Sequence, residues 1–144
     1  KSASAKLTVV PRSVQEESEF AQEVVRLVNV ERAKENLPAL KSDNAALTGA
    51  AQLRAGEIVE SFSHTRPNGR SCFTAMKEAG ISYGYAGENI AAGYATPAAV
   101  VEGWMNSSGH RANILSPNFD TIGVGYITDS HGYAYWVQMF MSKR

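Results

Sequence analysis

The end of the chain carries the feature that most constrains its fold, a pattern typical of a β-hairpin. Apolar and aromatic side chains alternate with other residues over 122–126 and again over 133–139, which is the period of a strand. Between the two runs stands Asp129-Ser130-His131-Gly132, a sequence rich in residues that favour turns. The pattern predicts two antiparallel strands joined by this turn.

Two patterns with a helical period precede the hairpin. Apolar residues recur at intervals of three and four from about residue 17 onward, and Pro38 ends this first helix. The same spacing over 47–58 predicts a second helix, with Asp43 or Asn44 as its N-cap. Arg54 falls within the repeating stripe of that second helix.

Turn-forming residues divide the middle of the chain. Arg66-Pro67-Asn68-Gly69 is strong turn chemistry, because proline fixes φ and Asn-Gly tolerates left-handed geometry. Residues 71–79 predict a short helix closed by Gly80. Residues 81–95 mix aromatic residues with glycines, and we expect them to contain a strand with loops.

A further helix is predicted to begin at Thr96 and Pro97, as N-cap and first helical residue. We expect Gly109 to interrupt it and a short helix to restart over 110–115. Helices therefore come first and the antiparallel hairpin last. That order predicts an α+β fold in which helices pack against both faces of a small antiparallel sheet.

The composition favours a single domain, since 44% of the 144 residues are apolar and 19% are charged. Residues 1–15 show no clear period and are interpreted as an N-terminal arm or linker, which leaves 16–144 as the domain. The 14 basic and 14 acidic residues cancel, so charge gives no reason to expect nucleic acid or an anionic membrane as partner. No apolar run is long enough for a transmembrane segment.

Two histidines and one glutamate carry the candidate chemistry. His64 stands in FSHTRPNG, Glu88 in AGENIAAG and His110 in WMNSSGHRANIL. The intervals between them are too wide for a local chelate, so tertiary folding must build any site that they share. Imidazole and carboxylate together are the raw material for a metal site or for an acid/base pair.

Each of these residues also has a local structural interpretation. His64 could be a residue at a helix C-terminus, favoured by the helix dipole. His110 could cap a kink, but a helix that begins at Gly109 would help keep its ring neutral, the form that binds metal or accepts a proton. Glu88 has small neighbours that leave room for a ligand, or it could accept backbone hydrogen bonds in a loop. We expect His131 to be exposed and uninvolved.

Other chemistries find less support in the sequence. Cys72 is the single cysteine, which excludes an intrachain disulfide, and beside Phe73 in a short predicted helix it is interpreted as a buried thiol. Glu102 is expected on the solvent face of its helix. The sequence has no GxSxG elbow, no Walker loop and no HExxH.

Six sequence blocks occur together in the order seen in the CAP superfamily, which comprises cysteine-rich secretory proteins, antigen 5 and plant pathogenesis-related proteins. The blocks are NVERAKENLPAL, FSHTRPNG, GENIAAG, VEGWMNSSGHRANIL, FDTIGVGY and YWVQMF. Over residues 18–141 the chain resembles the short bacterial branch of the superfamily, the SCP-like extracellular proteins. The resemblance implies a three-layer α-β-α sandwich and a location outside the cell or in the cell envelope.

The resemblance also implies a cleft with two histidines and two acidic residues, which in several members holds a divalent cation, often zinc. His64 and His110 match the histidines and Glu88 matches the first glutamate. The second glutamate does not carry over, because Ser107 stands in its place. We therefore expect His64 and His110 to hold zinc or another divalent cation with Glu88 nearby, and Ser107 and Asn89 to lie in the cleft.

The missing carboxylate, together with the absence of an activated nucleophile, favours a binding module over an enzyme. We expect a secreted monomer that binds an extracellular or cell-wall ligand of unknown identity. The first alternative is a zinc-dependent hydrolase of the cell envelope, in which Glu88 would be the general base. The second is a protein that captures lipid or sterol between its helices.

Overall fold

The computed structural model describes residues 14–143. The predicted arm over 1–15 lies almost wholly outside the described residues, and its last two residues already belong to the first helix. Five helices and three strands follow one another along the chain. They are α1 (Val14–Lys34), α2 (Ala45–Glu60), α3 (Thr74–Glu78), β1 (Tyr83–Ala92), α4 (Pro97–Met105), α5 (Ser108–Ile114), β2 (Thr121–Thr128) and β3 (Ala134–Lys143).

Two of the helices begin at the predicted capping residues. The Asn44 side chain accepts a hydrogen bond from the backbone N–H of Leu47, which decides between Asp43 and Asn44 and satisfies one of the free amides of α2. Thr96 does the same for α4, and Pro97 is its first helical residue. Short polar side chains at the right interval therefore fix both helix starts.

The break between α4 and α5 differs from the prediction. Gly109 lies inside α5, and the interruption falls at Asn106 and Ser107. Ser107 has extended backbone angles as the N-cap of α5, whereas glycine weakens a helix by only about 1 kcal/mol and can remain in a first turn. The third helix is also shorter than predicted, because Cys72 precedes α3 instead of lying within it.

The three strands form one antiparallel sheet in the order β1-β3-β2. The predicted C-terminal hairpin is β2 and β3, and the strand expected within 81–95 is β1, which pairs with the other side of β3. In this register Glu88 lies opposite Met139, and Asn89 lies opposite Gln138. Because side chains alternate along a strand, Glu88 and Asn89 extend from opposite faces of the sheet.

Helices cover both faces, so the predicted three-layer α-β-α sandwich is confirmed. Helices α1, α4 and α5 share an apolar cluster with one face of the sheet, centred on Trp104, Trp136 and Phe140. Helices α2 and α3 pack on the opposite face through a second cluster that includes Leu47 and Met139. Burial of both apolar clusters is the main source of stability in a fold of this kind.

Helix α2 approaches the sheet unusually closely, because two glycines of β2 lie beneath it. A Cβ placed on Gly125 would stand 2.3 Å from the carbonyl oxygen of Ala51, and one on Gly123 would stand 2.7 Å from that of Leu47. Any larger residue would therefore push the helix away from the strand. This contact fixes the height of α2, the helix that carries Arg54.

Candidate functional site

A small turn brings His64 and Cys72 together. The backbone N–H of Cys72 donates to the carbonyl of His64 at 2.9 Å, and Thr65 pairs with Ser71 in an isolated antiparallel bridge. Gly69 closes the turn at a positive φ of 86°, which glycine adopts without strain. His64 thus lies beyond the end of α2 at Glu60, so the interpretation as a residue at a helix C-terminus was wrong.

The carboxylate of Glu88 lies beneath the His64 ring and is held on two sides. His64 Nδ1 is 2.7 Å from Glu88 Oε1, and Arg54 Nε donates to Glu88 Oε2 at 2.8 Å. The side chains of Glu88 and Arg54 are almost completely buried, at 1% and 0% exposure, while that of His64 is 57% exposed. A carboxylate paired with a guanidinium accepts hydrogen bonds, so Nδ1 of His64 carries the proton.

Glu88 is the end of a longer chain of ion pairs, which we call the ionic network and which comprises Arg54, Glu57, Arg66, Glu78 and Glu88. Arg54 Nη1 donates to Glu57 at 2.8 Å, and Arg66 then joins Glu57 to Glu78 at 2.9 and 3.0 Å. Burial works against the charge of Glu57, but hydrogen bonds from the two arginines outweigh it and lower the pKa of that carboxyl. The network ties the turn after α2 to the base of the site.

His110 lies in the first turn of α5, as predicted, and is half-buried. Burial lowers its pKa, and the nearby His64 adds to the effect by charge repulsion. The direction agrees with the neutral ring expected from the sequence. The cause is burial and a second histidine, whereas the sequence had suggested the helix dipole.

A second group of polar side chains holds α5 on the sheet, and we call it the amide network: Asn89, Asn113 and Gln138. Asn89 Nδ2 donates to the carbonyl of His110 at 3.1 Å and to Gln138 Oε1 at 2.9 Å. Asn113 Nδ2 donates to Asn89 Oδ1 at 2.9 Å. In the described part of the chain, Gln138 Nε2 has no hydrogen-bond partner.

An open cavity of about 470 Å³ surrounds the inner edge of His64. Neither Asn89 nor Ser107, both expected in the cleft, contributes to its wall. Asn89 is fully buried behind α5, and Ser107 is the N-cap of that helix. The cavity is lined by His64, Thr65, Ser71, Cys72, Phe73, Ala86, Gly87, Glu88 and Asn113.

Cys72 is buried at 2% exposure, as the sequence predicted. Burial, with the negative charge of Glu88 next, raises the pKa of its thiol to about 12. At neutral pH the side chain is therefore a protonated thiol and not an activated nucleophile. His131 and Glu102 are exposed, again as predicted.

Sequence reasoning did not assign a role in the site to Arg54, Arg66 or Asn113. A signal existed for Arg54, because a charged residue at a position of the α2 stripe facing the core requires a buried partner. Arg66 and Asn113 carried no comparable signal. Each stands in a polar stretch of sequence, and only the tertiary structure shows which groups they meet.

Comparison with known families identifies the fold. The model of the cysteine-rich secretory protein family, CAP, matches residues 25–140. The chain belongs to the CAP family. Within the described residues, no helix has both the length and the apolar character needed to cross a membrane.

Two relatives in Bacillus subtilis (strain 168) are similar in sequence to this CAP chain. The uncharacterized protein YkwD is 44% identical over 138 residues, which are 94% of this chain and 51% of YkwD. The uncharacterized membrane protein YlbC is 34% identical over 124 residues, 85% of this chain and 34% of YlbC. The chain thus spans about half of one relative and about a third of the other.

Solved structures of CAP proteins share the fold. An extracellular protein of Bacillus anthracis that contains an SCP domain superposes with a TM-score of 0.82 at 29% identity, over 93% of this chain and 45% of that one. An outer surface protein of Borrelia burgdorferi superposes with a TM-score of 0.81 at 20% identity, over 95% of this chain and all of the other. The second likeness establishes the fold alone.

Proposed function

We propose that this CAP domain is an extracellular or cell-surface binding module, in which His64 and His110 hold a divalent cation and Glu88 orients His64. The observation that carries the proposal is the 2.7 Å hydrogen bond between His64 Nδ1 and Glu88 Oε1. It leaves the lone pair on Nε2. A carboxylate behind the ring is the usual support of a histidine that ligates a metal.

The donor chemistry of the two histidines fits zinc or a similar ion. The side chain of His64 is 57% exposed to solvent. The lowered pKa of His110 keeps its ring neutral near pH 7, and neutral imidazole is the form that coordinates metal. A cation held by the two rings would supply open coordination positions for oxygen atoms of an extracellular or cell-wall ligand.

The environment of Glu88 favours binding over hydrolysis. A general base must be free to take a proton from a water molecule near the substrate. Both oxygens of Glu88 already accept hydrogen bonds, from Arg54 and His64, and the side chain is 1% exposed. With Ser107 in place of a second carboxylate, Glu88 is a fixed orienting group and is not free to act as the general base.

Capture of lipid or sterol would use another part of the molecule. A mostly apolar cavity of about 450 Å³ lies between α1, α2 and β2, with Ala21, Val25 and Val124 in its wall. His64, Glu88 and His110 are not among the residues that line it. The lipid hypothesis and the metal hypothesis can therefore be tested on separate residues.

The extracellular or surface location is drawn from similar proteins. The related structure from B. anthracis is described as extracellular, and that from B. burgdorferi as an outer surface protein. Both carry the same fold as this chain. These descriptions support the extracellular or surface location in the proposal, and the monomeric state and the cell-wall ligand remain parts of the proposal.

Zinc titration by calorimetry tests the proposal. Replacing His64 or His110 by alanine should each weaken zinc binding by at least about tenfold, because each removes one of two protein ligands. The chain offers a matched control in its third histidine, since His131 is exposed in the β2–β3 turn. His131→Ala should leave the affinity unchanged, and equal affinity for the wild type and His110→Ala would contradict the proposal.

A further inference from the structure

Three side chains with different donor atoms lie close together in the wall of the cavity beside His64. His64, Cys72 and Glu88 each offer one ligand atom, and the three atoms all lie within 4.8 Å of one another. All three residues line the same cavity. This group does not include His110.

Backbone hydrogen bonds fix the positions of the three residues that carry the donor atoms. His64 and Cys72 lie opposite each other across the small turn, joined by the 2.9 Å hydrogen bond from Cys72 N–H to the His64 carbonyl. Glu88 comes from β1, which is paired with β3 from Ala86 to Ala92, and Arg54 fixes its Oε2. Its Oε1 meets Arg54 only at 3.3 Å and has the proton on His64 Nδ1 as its close partner.

We propose that Cys72 Sγ, His64 Nδ1 and Glu88 Oε1 form an inner site for a soft, thiophilic cation such as cadmium. This site is separate from the outer pair of His64 Nε2 and His110. In tetrahedral sites with bonds of about 2.0–2.3 Å, donor atoms stand about 3.3–3.8 Å apart. The donor atoms already lie within 4.8 Å of one another, and side-chain rotations widen the 2.7 Å contact between His64 Nδ1 and Glu88 Oε1 to that spacing. The open side of the cavity leaves room for a water molecule as the fourth ligand.

Protons balance when the cation binds. The thiol of Cys72 loses one proton to solvent, and the sulfur forms the metal–thiolate bond. The proton on His64 moves from Nδ1 to Nε2, so that the ring stays neutral and Nδ1 provides a lone pair. The cation then replaces the hydrogen bond between His64 and Glu88, and Arg54 remains paired with Glu88 Oε2.

The two sites should select different ions. The outer pair consists of nitrogen donors that need lose no proton, which suits zinc at neutral pH. The inner site must displace the proton of a buried thiol, so it favours an ion that gains most from a thiolate bond. Since the neutral His64 ring has one lone pair, an ion in one site excludes an ion from the other.

Cadmium titration of the full chain, followed by near-ultraviolet absorption, tests the inner site. The chain has a single cysteine, so a thiolate-to-cadmium charge-transfer band can come from Cys72 alone. The wild type should develop the band to saturation at about one ion per chain, with release of one proton. Cys72→Ser should abolish the band, and His64→Ala should weaken cadmium binding by at least about tenfold.

The His110→Ala variant distinguishes the inner site from the outer pair of the proposed function. His110→Ala should change cadmium affinity by less than about twofold, and Cys72→Ser should change zinc affinity as little. No thiolate band at saturating cadmium, a band unaffected in His64→Ala, or saturation at half an ion per chain overturns the inner site. Equal zinc affinity of the wild type and His110→Ala overturns only the outer pair.

A second measurement needs no variant and so does not depend on how the variants fold. Cadmium should slow the reaction of Cys72 with a thiol reagent in the wild type by at least about tenfold, because a metal-bound thiolate is not free to react. Zinc at the same occupancy should slow it much less. Equal reaction rates with and without cadmium count against the inner site.

Discussion

Glu88 and Asn89 are neighbours in β1, yet they belong to two different kinds of polar network. Glu88 extends toward α2 and ends the ionic network, in which arginines link the acidic side chains through ion pairs. Asn89 extends toward α5 and joins the amide network, whose members are neutral. The two networks extend from opposite faces of the sheet, and Asn113 of the amide network also donates to the backbone carbonyl of Glu88 at 3.3 Å.

The difference explains how the two candidate histidines are held. The ionic network decides where the proton on His64 resides, because Glu88 accepts from Nδ1. The amide network holds the backbone of α5 through the His110 carbonyl and not through the His110 ring. A charged group therefore determines the protonated nitrogen of His64, whereas backbone hydrogen bonding determines the position of His110.

The largest expected effect comes from breaking the ionic network at Arg54. Arg54→Met should cost about 3–5 kcal/mol in free energy of unfolding, because it leaves the buried carboxylate of Glu88 without its guanidinium. Urea denaturation at pH 7 measures the loss.

A matched control is Arg26→Met, which removes a pair with Glu23 on the exposed surface of α1. Solvent screens that pair, so the variant should unfold at nearly the wild-type urea concentration. If Arg54→Met and Arg26→Met unfold at the same urea concentration, the ionic network does not stabilise the site.

The amide network should show a smaller effect of a different kind. Asn89→Ala should cost about 1–3 kcal/mol, because it removes the donor to the buried Gln138 Oε1 and the acceptor of Asn113 Nδ2. In nitrogen NMR spectra the His110 signals should shift, while the tautomer of His64 should stay unchanged. Asn118→Ala, at an exposed asparagine, is the control, and a change of tautomer at His64 would show that the networks are not independent.

The smallest expected effect is a difference in how the stability of the two networks depends on pH. The pKa of Glu57 lies below its ordinary value of 4.5, so its ionised form stabilises the fold above that value, and the stabilisation is lost as pH falls through the folded pKa. Glu57→Gln should cost about 1 kcal/mol at pH 7, a modest figure because the amide oxygen still accepts hydrogen bonds from the arginines and only the charge is lost. The difference from the wild type should vanish in acid, and the loss in Asn89→Ala should not follow the same curve.

Elements that depend on neighbouring residues could be predicted from the sequence. Thr96 with Pro97 marked the start of α4, and alternation marked β2 and β3, because capping and strand period are local. The sandwich and the family followed from the order of such elements and motifs. The position of Gly109 inside α5 could not be predicted, since extended backbone angles at Ser107 decided the break.

The sequence showed which residues belong to the site, but it gave less information on how they are arranged. His64, Glu88 and His110 were singled out, and the structure joins the first two by a hydrogen bond. The opposite directions of Glu88 and Asn89 depend on the pairing of β1 with β3. The partnership of Arg54 with Glu88 spans 34 positions, and no local pattern encodes it.

The close contact between α2 and β2 sets the position of Arg54 relative to Glu88. Ala51 rests on Gly125 with backbone against backbone, and Arg54 lies one turn further along the same helix. The reach of the guanidinium to Glu88 therefore depends on the absence of side chains at Gly123 and Gly125. Selection on the chemistry of His64 would act as purifying selection on two glycines in the interior of the sandwich.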